Sequence, residues 1–291
     1  MEPPVPLNDG TLFPWPAYGS GTALRDTDAS TPVASAIRAG FRHIDCAQMY
    51  KNEASVGRGI ASALEAGGLA RDALYVTTKL LEVPPGRTAA DTLRESLRLM
   101  GLECVDLFLV HEPVRHSDLR QAWREMEECK MLGLAKRIGV SNFRVQDLEE
   151  IATDGATVPV INQIEFHPYI YEASKPVLAY MHEHGILPTS YGGLTPLVRI
   201  KDGPLNPVLV EIADRLSTQA GQAVTEAQVL QLWMKKKGVP YTTTTSKPER
   251  LQEYLQVASL PGLSDADEQL IDTAGASAHH RFFCKWIDDG T

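Results

Sequence analysis

Cysteine is scarce in this chain: the four present, Cys46, Cys104, Cys129 and Cys284, stand far apart with no Cys-x-x-Cys pair. That spacing argues against a disulfide framework or a cysteine-bound zinc site, and it suits a reducing compartment, by default the cytoplasm. Long apolar stretches are missing too, with no run of roughly 18 residues that could span a bilayer, so no membrane association is expected. The opening segment MEPPVPLNDG has three prolines, acidic residues and no apolar core, unlike a secretory signal. No long basic run occurs, and the formal net charge is −9. A chain this acidic repels nucleic acid and anionic lipid, so any anionic ligand must be held by a few placed cations. A Gly-x-Gly-x-x-Gly fingerprint is absent as well: GSGTAL, from Gly19, has only the first two glycines and does not open a helix, which disfavours a Rossmann domain. No metal is expected. His182 and His184 lie two apart on a predicted helix and do not face each other, and His279-His280 lacks an acidic or cysteine partner at ligand spacing.

What is present is a repeating alternation of short apolar runs and longer amphipathic stretches. Strands are predicted at Phe41–Asp45, Leu74–Lys79, Val105–His111, Arg137–Ser141, Val160–Ile164, Ile186–Ser190 and Tyr241–Thr245, with an eighth near Tyr18–Thr22. Helical periodicity lies between them, as at Val56, Ile60, Ala63 and Leu64, and glycines such as Gly101, Gly133 and Gly238 mark helix ends. Eight alternating units imply an α/β fold with a parallel sheet. A doubly wound sheet would satisfy the pattern, but even spacing over the whole chain favours a (β/α)8 TIM barrel. Barrels commonly use this much chain in one domain, so residues 1–291 are expected to form a single unit. An Asn8-Asp9-Gly10 turn between apolar pieces predicts a β-hairpin at about 5–14, before the first barrel strand. A tail from about 275 to 291 carries Phe282, Phe283, Cys284 and Trp286, and either packs on the barrel or walls a pocket.

In a barrel of this kind the chemistry gathers at the C-terminal ends of the strands. Three ionisable residues sit there: Asp45 ends the second predicted strand, Lys79 the third and His111 the fourth, while Tyr50 follows on the loop after Asp45. Singly, each has an ordinary explanation: a helix-capping aspartate, a solvated lysine, a hydrogen-bonded core histidine. Together they suit carbonyl reduction by hydride, in which charge develops on oxygen and must be protonated or stabilised. Tyr50 can supply the proton. Lys79, kept charged by Asp45, would lower the tyrosine's pKa, and a neutral His111 could hydrogen-bond and orient the substrate oxygen.

The segments GFRHIDCAQMYKNEASVG, LYVTTKL, GLECVDLFLVHEP, RIGVSNF and INQIEFHPY resemble, in order, the signature stretches of the aldo-keto reductases. The resemblance implies a catalytic tetrad at Asp45, Tyr50, Lys79 and His111, with Tyr50 and His111 at the substrate, and NADPH as cofactor. It further implies that Ser141, Asn142 and Gln163 hold the nicotinamide amide, that Tyr191 stacks on the ring and that Thr22 and Asp45 lie beside it. Without it, Ser141-Asn142 would be taken for the cap of a helix at Val145–Ile151. For the cofactor's phosphate, the last strand runs into Ser246-Lys247-Pro248-Glu249-Arg250. Ser246 and Glu249 have capping-box spacing and proline suits a first turn, so a helix start with free N–H groups is expected there, beside the cations Lys247 and Arg250. The family's commoner lysine–serine pair at the end of that strand is replaced here by Thr244 and Thr245, and Tyr254 stands where an asparagine is common.

Ala23, Leu81 and Glu112 occupy places where many family members carry tryptophan, and only residues 112–117 separate His111 from a helix that Asp118 could begin. The short loop and the TTTTSKPER run resemble the fungal branch acting on conjugated polyketones, keto lactones and α-keto amides. The expected partner is thus a small carbonyl compound, reduced by a monomeric enzyme. Two other functions fit less well: an NADPH-binding regulatory barrel with little turnover, and a hydrolase pairing Glu112 with Glu165.

Overall fold

The computed structural model describes residues 2–288. A two-stranded antiparallel hairpin, β1 (Val5–Pro6) and β2 (Leu12–Phe13), comes first. Its turn is built as the sequence predicts: Gly10 has φ +79°, and the Leu7 and Gly10 N–H groups close on Thr11 and Leu7 carbonyls.

Eight parallel strands follow: β3 (Ala17–Gly19), β4 (His43–Asp45), β5 (Tyr75–Leu80), β6 (Leu107–Val110), β7 (Ile138–Ser141), β8 (Ile161–Glu165), β9 (Leu187–Tyr191) and β10 (Thr242–Thr243). Their order runs β10-β3-β4-β5-β6-β7-β8-β9, and a parallel bridge between Ser190 and Tyr241 joins the two ends into a closed barrel. The helices are α1 (Ser30–Ala39), α2 (Glu53–Gly67), α3 (Ala89–Met100), α4 (Leu119–Met131), α5 (Val145–Ile151) and α6 (Tyr171–Glu183), then α7 (Thr195–Arg199), α8 (Leu205–Ala220), α9 (Glu226–Lys236), α10 (Pro248–Gln256) and α11 (Asp265–Ala276). Helix α3 shows how local sequence sets them. Thr88 and Asp91 cap its start reciprocally, Leu93, Leu97 and Met100 form the buried face, and Gly101 at φ +67° ends it. Against it lies Gly57 of α2, where an added Cβ would stand 2.3 Å from the Met100 carbonyl oxygen. Only glycine allows that approach.

The first and last barrel strands, and the helix cap that follows the last, differ from expectation. The first barrel strand is Ala17–Gly19, so Gly21 and Thr22 have already left the sheet for a turn in which Thr22 has φ +52°. The last pairs only at Thr242–Thr243, because Tyr18 and Thr244 then tie the chain crosswise, through their hydroxyls, to the Thr245 and Gly19 carbonyls. The Ser246–Glu249 capping box does not form. Thr245 Oγ1 instead accepts the Lys247 N–H at 3.0 Å, which makes Lys247 the N-cap of α10 and leaves Ser246 exposed. Likewise Ser141 and Asn142 do not cap α5, whose N-cap is Arg144 bonded to Asp147. Asp118 does cap α4.

Candidate active site

Consecutive strands bring the polar residues to one mouth of the barrel. Asp45 ends β4, Lys79 lies one residue from the end of β5, and His111 immediately follows β6, its N–H bonded to the Leu80 carbonyl. Strand alternation turns Asp45, Lys79 and His111 inward. Tyr50 closes a single 3-10 turn, Gln48–Tyr50, just beyond β4. Gln48 fastens that turn, accepting the Leu81 N–H at 2.9 Å and donating to Ser96 Oγ at 3.1 Å. Lys51, at φ +52°, then redirects the chain.

The four side chains meet. Lys79 is fully buried and its Nζ donates to Asp45 Oδ1 and to the Cys46 carbonyl. The second Asp45 oxygen accepts the Gln163 amide at 2.9 Å. Nζ stands 5.3 Å from the Tyr50 ring centre, and the Tyr50 and His111 rings meet edge to face, 5.7 Å apart. Burial pulls the Lys79 pKa down, but Asp45 and Tyr50 outweigh it and hold the ammonium above its ordinary value. His111 is driven well below its ordinary value by burial and by Lys79, Arg115 and Arg25, so it is neutral, and its buried Nδ1 has no hydrogen-bond partner among the described residues. Tyr50 departs from expectation: burial raises its pKa, and the opposing pull of Lys79 does not cancel this because Asp45 also pushes upward. Its phenol therefore keeps its proton at neutral pH.

Beside this group Ser141 Oγ donates to the Gln163 carbonyl at 2.7 Å, and Asn142, in a left-handed conformation at φ +63°, donates to the His111 carbonyl at 2.9 Å. The Tyr191 hydroxyl donates to Asn142 Oδ1 at 2.7 Å. Asp45, Ser141, Asn142, Gln163 and Tyr191 thus form one connected set. Ser246, Lys247 and Arg250 are exposed beyond β10, and neither cation has an ion-pair partner among the described residues. Thr22 sits in the turn after β3, next to Gly21, where a Cβ would stand 2.8 Å from the Tyr50 ring. Glu112 is paired with Arg115 at 2.8 Å, and Glu165 accepts backbone N–H groups of Phe282 and Phe283. Both carboxylates are engaged, which removes the support for a hydrolase. Among the described residues no cluster could hold a metal, and no helix is long and apolar enough to cross a membrane.

The described part of the tail walls this mouth: the Phe283 ring meets Tyr191 edge-on at 5.5 Å, and Cys284 Sγ lies 3.9 Å from both the Tyr191 hydroxyl and Glu112. Residues 289–291 of the expected tail lie outside the described residues. Gln48 carried no signal in the sequence, since its value lies in two contacts made across the fold.

The aldo/keto reductase family model matches residues 15–276. The chain belongs to the aldo/keto reductase family. It is 38% identical over 291 residues to the NAD/NADP-dependent indole-3-acetaldehyde reductase of Schizosaccharomyces pombe, covering 96% of this chain and 98% of that one. It is 33% identical to the NADPH-dependent alpha-keto amide reductase of Saccharomyces cerevisiae, over 85% and 83% of the two chains. Among solved structures, Bombyx mori aldo-keto reductase in complex with NADP superposes with a TM-score of 0.85 at 28% identity, covering 99% of this chain and 97% of that one. This aldo-keto reductase is therefore an NAD(P)-dependent oxidoreductase that acts on carbonyl compounds, built as a (β/α)8 barrel.

Proposed function

We propose that this aldo-keto reductase uses NADPH to reduce aldehydes and activated ketones, such as α-diketones, keto lactones and α-keto amides, with Tyr50 as proton donor. The observation that carries the proposal is the buried Asp45–Lys79 pair beside a protonated Tyr50 and a neutral His111. NADPH, when bound, supplies the hydride. The residues present fit such a cofactor. Side-chain amides of Asn142 and Gln163, the Ser141 hydroxyl and the Tyr191 ring suit a nicotinamide amide, and Lys247 and Arg250, with no ion-pair partner among the described residues, suit a phosphate at the start of α10 with Ser246. Two such cations are what favours NADPH over NADH.

His111 orients the substrate oxygen by hydrogen bonding as a neutral imidazole. Tyr50 holds its proton until negative charge grows on that oxygen, then gives it up. Lys79 stabilises the phenolate left behind, and Asp45 keeps Lys79 charged in a site that would otherwise neutralise it. Burial strengthens each of these interactions by excluding water.

Substrate class follows from the mouth. Ala23 is exposed, Leu81 half-buried, and Glu112 carries an ion pair, so the three places where many family members carry tryptophan supply no aromatic wall here. A ketone with an adjacent carbonyl is already electrophilic and needs less enclosure than an unactivated one. The names of the two yeast relatives, an aldehyde reductase and a keto amide reductase, agree with this class. Four free cysteines suit a cytoplasmic enzyme, and we take it to act as a monomer. NADPH oxidation with a cyclic α-diketone or keto lactone, side by side with xylose, tests the proposal. Higher kcat/KM for the dicarbonyl is expected, and equal or better efficiency with the sugar would overturn the substrate class.

A further inference from the structure

Glu165 has no part in the chemistry above, yet it is a fully buried carboxylate at the end of β8. Its oxygens accept the Phe282 N–H at 3.1 and 3.2 Å, the Phe283 N–H at 3.0 Å and His167 Nε2–H at 3.2 Å. Two of those three donors belong to the segment 279–288, which crosses the barrel mouth. That segment closes on itself, since Asp288 accepts both His279 and Arg281, at 2.7 and 2.8 Å. None of its residues is fully buried, and its Arg281 and Ile287 line a cavity of about 270 Å³ together with Phe143, Ile164, Glu165 and Val177. Side-chain contacts add to this: Arg199 lies over the Phe282 and Phe283 rings, Arg144 over Trp286, and the His280 ring meets Tyr169 edge-on at 5.2 Å.

Phe283 and Cys284 contact Tyr191, and Cys284 reaches Glu112, the residue after His111. Gly192 makes room for this stack: at φ +69°, a Cβ there would meet Glu165 Cγ at 3.4 Å and Phe283 Cε2 at 3.5 Å. We propose that Glu165 is a positioning residue, a buried anion whose grip on the Phe282 and Phe283 N–H groups latches the 279–288 strap over the mouth and so sets which carbonyl substrates the enzyme accepts. Charge-assisted hydrogen bonds are strong when dry, and they are readily exchanged for water once the strap lifts. The latch is firm when closed and can still open. The inference rests on the carbonyl-reductase function proposed above.

The test is Glu165→Gln, in which one carboxylate oxygen becomes an amide donor facing another donor. Two readouts are taken on the full chain: the rate of tryptic cleavage after the exposed Lys285, and steady-state constants for a small dicarbonyl (2,3-butanedione) and a bulky one (isatin). Cleavage should accelerate about tenfold, and KM for isatin, the larger of the two, should rise by a similar factor, the effect of losing one hydrogen bond to a charged acceptor. Constants for butanedione and kcat for both should stay within about twofold. Phe283→Ala should give the same selectivity change, and the double variant should add nothing to it. Unchanged proteolysis, or constants that shift equally for both substrates, overturns the latch. Should Glu165→Gln melt early, Arg199→Ala decides by the same two readouts, because it loosens the strap from its solvent side. A wild-type protein that reduces neither compound defeats the proposed function, and the latch then stands or falls on the tryptic rate.

Discussion

Replacing Lys79 by methionine removes one member of an ion pair whose side chains are 0% and 3% exposed. The methionine fills the lysine's volume, so packing changes little. What remains is an Asp45 carboxylate out of reach of water, with only the Gln163 amide for company. Breaking a buried pair from one side costs about 3–5 kcal/mol, because the surviving charge has lost its counter-ion. Unfolding entropy near 60 °C is about 2.1 cal/mol/K per residue, so 291 residues give about 0.6 kcal/mol/K. The expected drop in Tm is then about 5–8 °C. Asp45→Asn/Lys79→Met leaves no charge to bury and should recover about 2 kcal/mol of the loss, a coupling that a double-mutant cycle isolates. Differential scanning calorimetry at pH 7, without cofactor, measures wild type, Lys79→Met, Asp45→Asn and the double variant. A Lys79→Met variant melting within about 2 °C of wild type, on the same scale, or a double variant no more stable than the single, would refute a dry, mutually dependent pair. Turnover supplies an independent check. Without the ammonium, charge on the Tyr50 oxygen goes unsupported and kcat should fall at least about 100-fold.

Tyr50→Phe should abolish carbonyl reduction while NADPH affinity, followed by fluorescence quenching, stays within a few-fold of wild type; near-normal kcat would remove Tyr50 from the chemistry. Lys247→Ala and Arg250→Ala should each weaken NADPH more than NADH, by about 1.5–3 kcal/mol per charged contact, and equal losses for both cofactors in titrations would put the 2′-phosphate elsewhere. Burial depresses His43 to about 4 in the folded chain, where it is held by the Pro14 carbonyl and Thr77. The unfolded chain thus binds a proton the folded chain refuses. That contribution is complete above about pH 6.5 and is lost as the pH falls towards 4. Thermal scans should show Tm declining over this window, and a flat profile down to pH 4.5 would contradict a neutral buried His43.

Much of the site was legible because catalytic residues in a barrel are tied to strand ends, and strands announce themselves locally. Asp45, Lys79 and His111 could be placed at a common mouth from apolar runs and period-two alternation alone, and the hairpin from Asn8-Asp9-Gly10. The family-like segments added the Asn142, Gln163 and Tyr191 set, whose hydrogen bonds the fold connects. Where strands end was less legible. Tyr18 and Thr244 decide the register at β3 and β10 through hydroxyl bonds to carbonyls more than 220 residues away in sequence, 227 and 225 positions respectively.

Three matters were settled only by tertiary structure, each for the same physical reason. The direction of the Tyr50 pKa depends on burial, and burial is a sum over many elements that no local motif encodes. The cap of α10 passed from Ser246 to Lys247 because the Thr245 hydroxyl was positioned by the closing barrel. Glu165, a glutamate like any other in sequence, became an anchor because β8 buries it where the returning tail presents two N–H groups. Local sequence determines what a segment can form and which chemistry it carries. Desolvation and long-range hydrogen bonding, fixed only when the barrel closes, determine what each group then does.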